Sequence, residues 1–415
     1  MLRLRADWLV PVTAPPIPDG AVLVAAGGRV AAAGPDAAVP RPPGVPELRL
    51  RGAALLPGLV NAHTHLELTG LGGRAEEADF VAWIGTIRRL KAERGPEEYL
   101  AAARAGIRQG WASGVTTVAD TGDSGAVLRA LAELGGSGVA YQEVFGPDPG
   151  QAGESQAGLR AAVAMLRPVQ TERARLGLSP HAPYSVSGAL YAAVARLAAE
   201  EDLPLAVHVA ESAAESALLA DGTGGFAAAW ERRGITPPAA GVTPVEWLER
   251  HGVLGPRTLC IHAVRVGAGD VGRLRAAGAG IAHCPLSNLR HGHGAAPLAA
   301  LLDAGLRVGV GTDSEASVGP TDLLAEARAA RAIAGLDARS ALALATTGAA
   351  AAIGLAAEVG QLSPGAWADV VAVALPADAS AGAVEEAVLA SGAAGVIGTW
   401  VGGRPVFRQA APAEA

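Results

Sequence analysis

Lysine is nearly absent from this chain of 415 residues: Lys91 is the only one, and every other basic residue is arginine. Cysteine is almost as rare. With only Cys260 and Cys284, both inside apolar stretches, neither a disulfide scaffold nor a thiolate metal site can be built, and a reducing cytoplasm is the expected compartment. An export signal is missing too, because Asp7 and several prolines interrupt Met1 to Gly20, where an unbroken apolar stretch is required. The nearest thing to a membrane-length run, Ser340 to Ala357, is mostly Ala, Gly and Thr and is followed by Glu358. A packed internal helix is expected there, not a span. The net charge of -7 leaves no basic stripe for nucleic acid and no polybasic anchor for anionic lipid. Small neutral or cationic molecules are the expected partners.

What is present in quantity is apolar. Half of the residues are hydrophobic, enough to bury a sizeable core in one large domain or two ordinary ones. From Leu2 to Ala54 short β-like pieces (Ala21 to Ala26, Arg29 to Ala33, Leu48 to Leu50) alternate with Pro and Gly, and a similar texture returns at Ala368 to Leu375 and Val396 to Val401, with Pro405 to Phe407 after the Gly402-Gly403 turn. Residues 1–54 and 358–415 are therefore expected to pair into one small, discontinuous β-sandwich domain. The middle repeats a strand-then-helix rhythm. Strands are predicted at Leu59 to His65, Val115 to Asp120, Val139 to Phe145, Leu176 to His181, Leu205 to Glu211, Thr258 to Val264, Ala279 to Pro285 and Val308 to Asp313. Between them lie helical stretches such as Glu97 to Ala112, Leu190 to Glu200, Gly269 to Ala277 and Pro297 to Ala304. Eight βα units close a (β/α)8 TIM barrel, here expected over 55–357. The Pro-rich Gly234 to Pro244 reads as an insertion after the fifth strand. An open doubly wound sheet is the competing architecture, disfavoured because no Gly-x-Gly-x-x-Gly turn follows the first strand.

The first barrel strand, Leu59-Val60-Asn61-Ala62-His63-Thr64-His65, ends in two histidines one residue apart. Alternate strand residues share a face, so both imidazoles converge on one point, and a metal ion is the natural tenant. His-x-His alone is as easily a pair of polar residues at a strand end. Downstream, His181, His208, His262, His283, His291 and His293 all fall at strand ends or in the loops after them, and His251 alone lies elsewhere. Functional side chains of a βα barrel stand at that face. His63, His65, His208 and Asp313 make a nitrogen and oxygen set suited to one divalent ion, Zn2+ first, with Fe2+ or Mn2+ as alternatives. Glu211, three residues after His208, is placed to carry protons; an ordinary helix-start carboxylate is the competing reading.

Pro57 to Leu66, His208-Val209-Ala210-Glu211, His262-Ala263-Val264, His283 to Asn288 and Gly311-Thr312-Asp313-Ser314 together resemble the amidohydrolase superfamily, within it the deaminase and chlorohydrolase branch of S-adenosylhomocysteine, guanine, 8-oxoguanine and aminofutalosine deaminases and triazine hydrolases. The resemblance implies one metal held by His63, His65, His208 and Asp313, with Glu211, His262 and Asp313 acting on water and substrate. It also implies substrate contacts from His181, Asn288 and Ser317. Binuclear relatives bridge two metals through a carboxylated lysine ending the fourth strand; that strand here ends in His181 and Lys91 precedes the second strand, which excludes such a pair. The activity implied is hydrolytic deamination of an aminated N-heterocycle, a purine-like base or adenine-derived compound, giving an oxo product and ammonia. His63 to Leu68 and Asp221-Gly222-Thr223-Gly224 lean toward the aminofutalosine side. Triazine or cyclic-amide hydrolysis is the alternative, and a non-catalytic scaffold the remote one. A cytoplasmic homodimer is expected from the resemblance.

Around that set, Trp83 is expected on the lid after the first strand, stacking on a heterocycle or packing as a core residue. His181 either touches substrate or hydrogen-bonds a ligand histidine. Nucleoside-type members carry an acid just before the tryptophan to grip ribose, whereas Val81 and Ala82 stand here. Gln142 and Glu143 are candidates to reach substrate, or a solvated strand-end pair. His291 and His293 sit on a Gly-spaced loop, a poor ligand platform, and read as pocket lining or plain loop.

Overall fold

The structure is a computed structural model, which describes residues 1–409. The N-terminal segment forms β1 (Leu2–Leu9), β2 (Ile17–Val24), β3 (Val30–Pro35) and β4 (Glu47–Pro57). The middle supplies β5 (Leu59–Thr64), β6 (Val115–Gly122), β7 (Ser137–Val144), β8 (Ala174–Pro180), β9 (Leu205–Val209), β10 (Thr258–His262), β11 (Gly280–His283) and β12 (Arg307–Val310). The C-terminal segment adds β13 (Val370–Ala374), β14 (Val396–Val401) and β15 (Arg404–Arg408).

Both ends of the chain share one seven-stranded sheet in the order β15-β14-β13-β4-β1-β2-β3. Alternation explains it: Leu4, Ala6, Val22, Val24, Leu55, Val370, Ala372 and Trp400 turn to one side and form a single apolar core. The expected sandwich is this one sheet curled over, since Arg29, just before β3, bridges to Trp367, just before β13. In β1, Leu4 and Ala6 face this side, while Arg3 is buried on the opposite face against Asp36 at 2.6 Å and against Glu47, which hides the alternation. β4 stays paired with β13 through Pro57, so the chain changes sheets between Pro57 and Leu59, three residues after the expected division at 54/55. Residues Ala53 to Val60 are all buried, and the crossing falls at Pro57-Gly58 within that apolar stretch.

The eight middle strands run in sequence order from β5 to β12, paired in parallel. Closure comes where Asp313 N–H donates to the His63 carbonyl at 3.1 Å and His65 N–H donates to the Asp313 carbonyl at 3.3 Å. Gly311 permits that approach, because a Cβ there would lie 2.6 Å from the His63 nitrogen. All eight expected strands are present, but β9 to β12 each stop two or three residues early. Left-handed backbone at Ala210 (φ 52), His262 (φ 72), Ala263 (φ 48) and Asp313 (φ 56) ends three of them; in β11 the helix Pro285–Arg290 starts directly after. Non-glycine residues hold such angles at about 1–3 kcal/mol each, typically at functional sites.

The two sheets are locked together by Asp369. Its carboxylate takes Arg173 at 2.8 and 2.6 Å and the Gly402 N–H at 2.7 Å, and its carbonyl takes the Gly58 N–H. The apolar run from Ser340 is two short helices, Ala338–Leu344 and Thr347–Ala352, not one: the chain turns at Thr346, whose hydroxyl donates to the Leu342 carbonyl. No helix among the described residues is long and apolar enough to cross a membrane.

Candidate active site

β5 and β9 bring three imidazoles to one point. Ring nitrogens of His63, His65 and His208 lie within 4.8 Å of one another. His65 Nδ1–H donates to the Thr121 carbonyl at 2.8 Å and His208 Nδ1–H to the His181 carbonyl at 3.1 Å. Each Nε2 is thereby left with a lone pair, and the two Nε2 atoms face each other at 3.3 Å. Neither ring nitrogen of the fully buried His63 has a partner among the described residues. Asp313 Oδ1 stands 3.8 Å from His63 Nε2 and 3.7 Å from His65 Nε2. Burial, helped by neighbouring imidazoles or Lys91, pushes His63 well below the usual histidine range, His65 to about 4 and His208 to about 3. The rings are neutral, as ligands must be. Facing lone pairs with a carboxylate beside them are repulsive without a cation, so this donor set fits one divalent metal.

The groups around this point are held from behind. Asp313 Oδ2 accepts from Ser287 at 2.6 Å and from Ser317 at 3.2 Å. His262 Nδ1–H donates to Asn288 Oδ1 at 2.9 Å, which leaves its Nε2 lone pair pointing forward, 3.4 Å from Glu211 Oε1. Asn288 and Ser317, expected to touch substrate, are buried and hydrogen-bonded to His262 and Asp313; Asn288 ends the His283 to Asn288 motif, and Ser317 lies three residues beyond Gly311 to Ser314. Glu211 is itself buried, with Tyr184 O–H donating to its Oε2 at 3.3 Å. It does not cap the next helix, Ala213–Asp221, a task that falls to Ser212. Burial and then the charge of Asp313 push the Glu211 carboxyl well above its ordinary range, which favours its protonated form.

Glu215 was not foreseen. One helical turn after Glu211, its carboxylate accepts the backbone N–H groups of Ala210 and Glu211, both at 2.8 Å, and so fixes the left-handed turn that aims Glu211. In sequence it looks like an ordinary first-turn acid. Tyr184, three residues after His181, and Ser287, within His283 to Asn288, are two further residues of the site.

A cavity of about 790 Å³ opens over this point. Its walls include His65, Trp83, Lys91, Glu143, Phe145, His181, Tyr184, His208, Glu211, His262 and Asp313. Trp83 packs as a core residue, stacking on Phe80 with ring centroids 5.9 Å apart inside an apolar cluster, and also lines the cavity. His181 lines it as well; its ring takes Ser185 Oγ at 2.7 Å, and only its backbone carbonyl serves His208. Of the second His-x-His, His293 Nε2 lies 3.6 Å from Glu211 Oε1 and the His291 ring packs on Trp83 at 4.5 Å. Lys91 is tied to Glu67 at 2.7 Å and Asp123 at 2.8 Å.

Residues 54–406 match the amidohydrolase family. The chain is 36% identical over 315 residues to the aminodeoxyfutalosine deaminase of Deinococcus radiodurans, a match spanning 72% of each chain. It is 32% identical over 315 residues to a 5-methylthioadenosine/S-adenosylhomocysteine deaminase of Nitratidesulfovibrio vulgaris, covering 75% of this chain and 67% of that one. An adenosine deaminase structure from Xanthomonas campestris with bound zinc superposes with a TM-score of 0.81 at 26% identity, over 97% of this chain and 92% of that one. The Helicobacter pylori aminofutalosine deaminase, at 21% identity, shares the fold with a TM-score of 0.86 over 98% of this chain and all of that one.

Proposed function

The chain belongs to the amidohydrolase family, and we propose that it is a metal-dependent hydrolytic deaminase of an adenine-derived compound, releasing ammonia. The observation that carries this is the pair of Nε2 lone pairs facing at 3.3 Å beside Asp313, with a buried Glu211 beside His262 at 3.4 Å. The names of the relatives supply the substrate class.

His63, His65, His208 and Asp313 are the residues to hold the ion, zinc by preference. Bound there, it supplies Lewis acidity, which brings a water molecule's pKa to about 7. Asp313 accepts the proton that this water loses, its Oδ2 kept in place by Ser287 and Ser317. His262 Nε2 orients the attacking oxygen, since Asn288 fixes which ring nitrogen carries hydrogen. Glu211 gives its proton to the ring nitrogen adjacent to the amino-bearing carbon. The C–O bond forms, the proton held by Asp313 passes to the amino group, and as the C–N bond breaks and ammonia leaves, the remaining proton of the attacking oxygen returns to Glu211, giving the oxo product. Trp83 and His181 line the space the heterocycle fills.

The reading includes a cytoplasmic setting, supported by two free, buried cysteines, and a homodimer, supported by the family resemblance alone. The test is ammonia release by metal-loaded protein from aminated purines, their nucleosides, aminofutalosine-type compounds, pterins and aminotriazines. Release from an adenine-derived compound is expected; release from the triazines alone contradicts the reading.

A further inference from the structure

The second His-x-His, His291-Gly292-His293, is left over by the proposed chemistry. It follows the helix Pro285–Arg290, and His293 does not line the cavity, so its partner is a residue of the protein and not the substrate. His293 is 6% exposed; its Nε2 has no hydrogen-bond partner among the described residues and stands 3.6 Å from Glu211 Oε1. The ring is held there from two sides. Phe80 packs against it edge to face with centroids 4.5 Å apart, and its backbone N–H donates to the Asn288 carbonyl at 2.9 Å. Since Asn288 Oδ1 also holds His262, one asparagine places two imidazoles on one carboxylate. Burial lowers the His293 ring to about 4, which leaves it neutral near pH 7 with a single N–H.

Glu211 Oε1 is bracketed by two Nε2 atoms, at 3.4 Å from His262 and 3.6 Å from His293. The two cannot serve it alike. His262 spends its proton on Asn288 and turns a lone pair forward, which suits a Glu211 that still holds its proton and repels one that has lost it. The one side-chain hydrogen bond that Glu211 receives among the described residues comes from Tyr184 O–H, at 3.3 Å, on the other oxygen. A buried carboxylate with so little support is costly to form. We propose that His293 is a positioning residue for Glu211: its Nε2–H donates to Oε1 once Glu211 has given up its proton, and so eases that transfer. The role rests on the proposed deaminase reading for the step itself. His293 keeps its own proton throughout, and the gap of 3.6 Å closes as Oε1 becomes charged, because bonds to ionised acceptors are short and catalytic ones tighten outside the free enzyme. His291, packed on Trp83, has no part in the transfer.

The experiment compares metal-loaded wild type with H293F and H293A, which lack a donor, and with H293Q, whose amide can donate from the place of Nε2. The first readout is the pH at which Glu211 ionises, followed by infrared difference spectroscopy through the carboxyl band that E211Q lacks. A donor to the ionised form lowers a carboxyl's pKa, so H293F and H293A should raise the midpoint by about 1 pH unit while H293Q stays near wild type. Tyr184, His262, Glu215, Cys284 and Asp313 also face Glu211, and His291 and Arg265 flank His293; all are common to the four proteins. The second readout is ammonia release from 5'-deoxyadenosine, where H293F and H293A should lose roughly 10–100-fold in kcat at unchanged KM and H293Q should recover most of it. An unchanged midpoint in both donor-free variants, or an equal loss of kcat in all three, would overturn the role. A raised midpoint without ammonia from any adenine-derived compound would support the contact and count against the deaminase reading instead.

Discussion

The two sides of the barrel mouth carry the same residue types in opposite states of satisfaction. From β9 round to β12, and on β5, each reactive side chain except His63 is gripped from behind: His65 by the Thr121 carbonyl, His208 by that of His181, His262 by Asn288, Asp313 by Ser287 and Ser317. Glu211 is steadied through its own backbone by Glu215. From β6 to β8, Lys91 is consumed by its ion pairs, and Glu143 keeps an oxygen free. Side chains that must hold one geometry through a reaction have their spare polar atoms occupied.

The comparison breaks hardest at Glu211. E211Q should keep its metal and lose about 10²–10⁴-fold in kcat, with metal analysis and steady-state kinetics as the measurements; normal turnover would end its role as proton carrier. A supporting residue should matter less. S287A, which removes the stronger bond to Asp313 Oδ2, should cost about 10–100-fold in metal affinity or activity, read by competition with a chelator. The smallest effect concerns Glu326, whose Oε2 accepts the Leu286 N–H at 3.0 Å, at the start of the helix bearing Ser287 and Asn288. Burial raises its carboxyl from 4.5 to about 8. The folded state then holds a proton that the unfolded chain releases, so this contribution to stability is whole below about pH 4.5 and is lost as pH rises through 8. E326Q should therefore show a shallower fall in Tm between pH 5 and 8.5 than wild type; parallel curves would place Glu326 in the ionised state throughout.

How much of this was legible in the sequence depends on range. His63 and His65 announce themselves because strand period 2 puts them on one face, and Asp313, Glu211 and His262 because they sit at ends of apolar runs in family-like motifs. The residues that grip them are another matter. Glu215 follows Ser212 at the spacing of an N-terminal capping box, which conceals its bonds to Ala210 and Glu211. Asn288 ends an expected motif and Ser317 lies just beyond one, but whether a side chain faces the cavity or the back of a neighbour is a matter of a few ångströms set by strained turns at His262 and Asp313. His and Asp enter a left-handed backbone more often than most non-glycine residues, but that preference does not single out these two among the chain's other His and Asp residues. The crossing between the sheets at Gly58 was harder to read, since the buried stretch Ala53 to Val60 runs through both strands with only Pro57-Gly58 between them.

The most direct test of the account is ammonia release from an adenine nucleoside by metal-loaded wild-type and D313N proteins, with metal content measured on the same samples. Ammonia from wild type with about one metal per chain, and its loss in D313N, is the predicted result. Bound metal in wild type with no ammonia from any adenine-derived compound would contradict it.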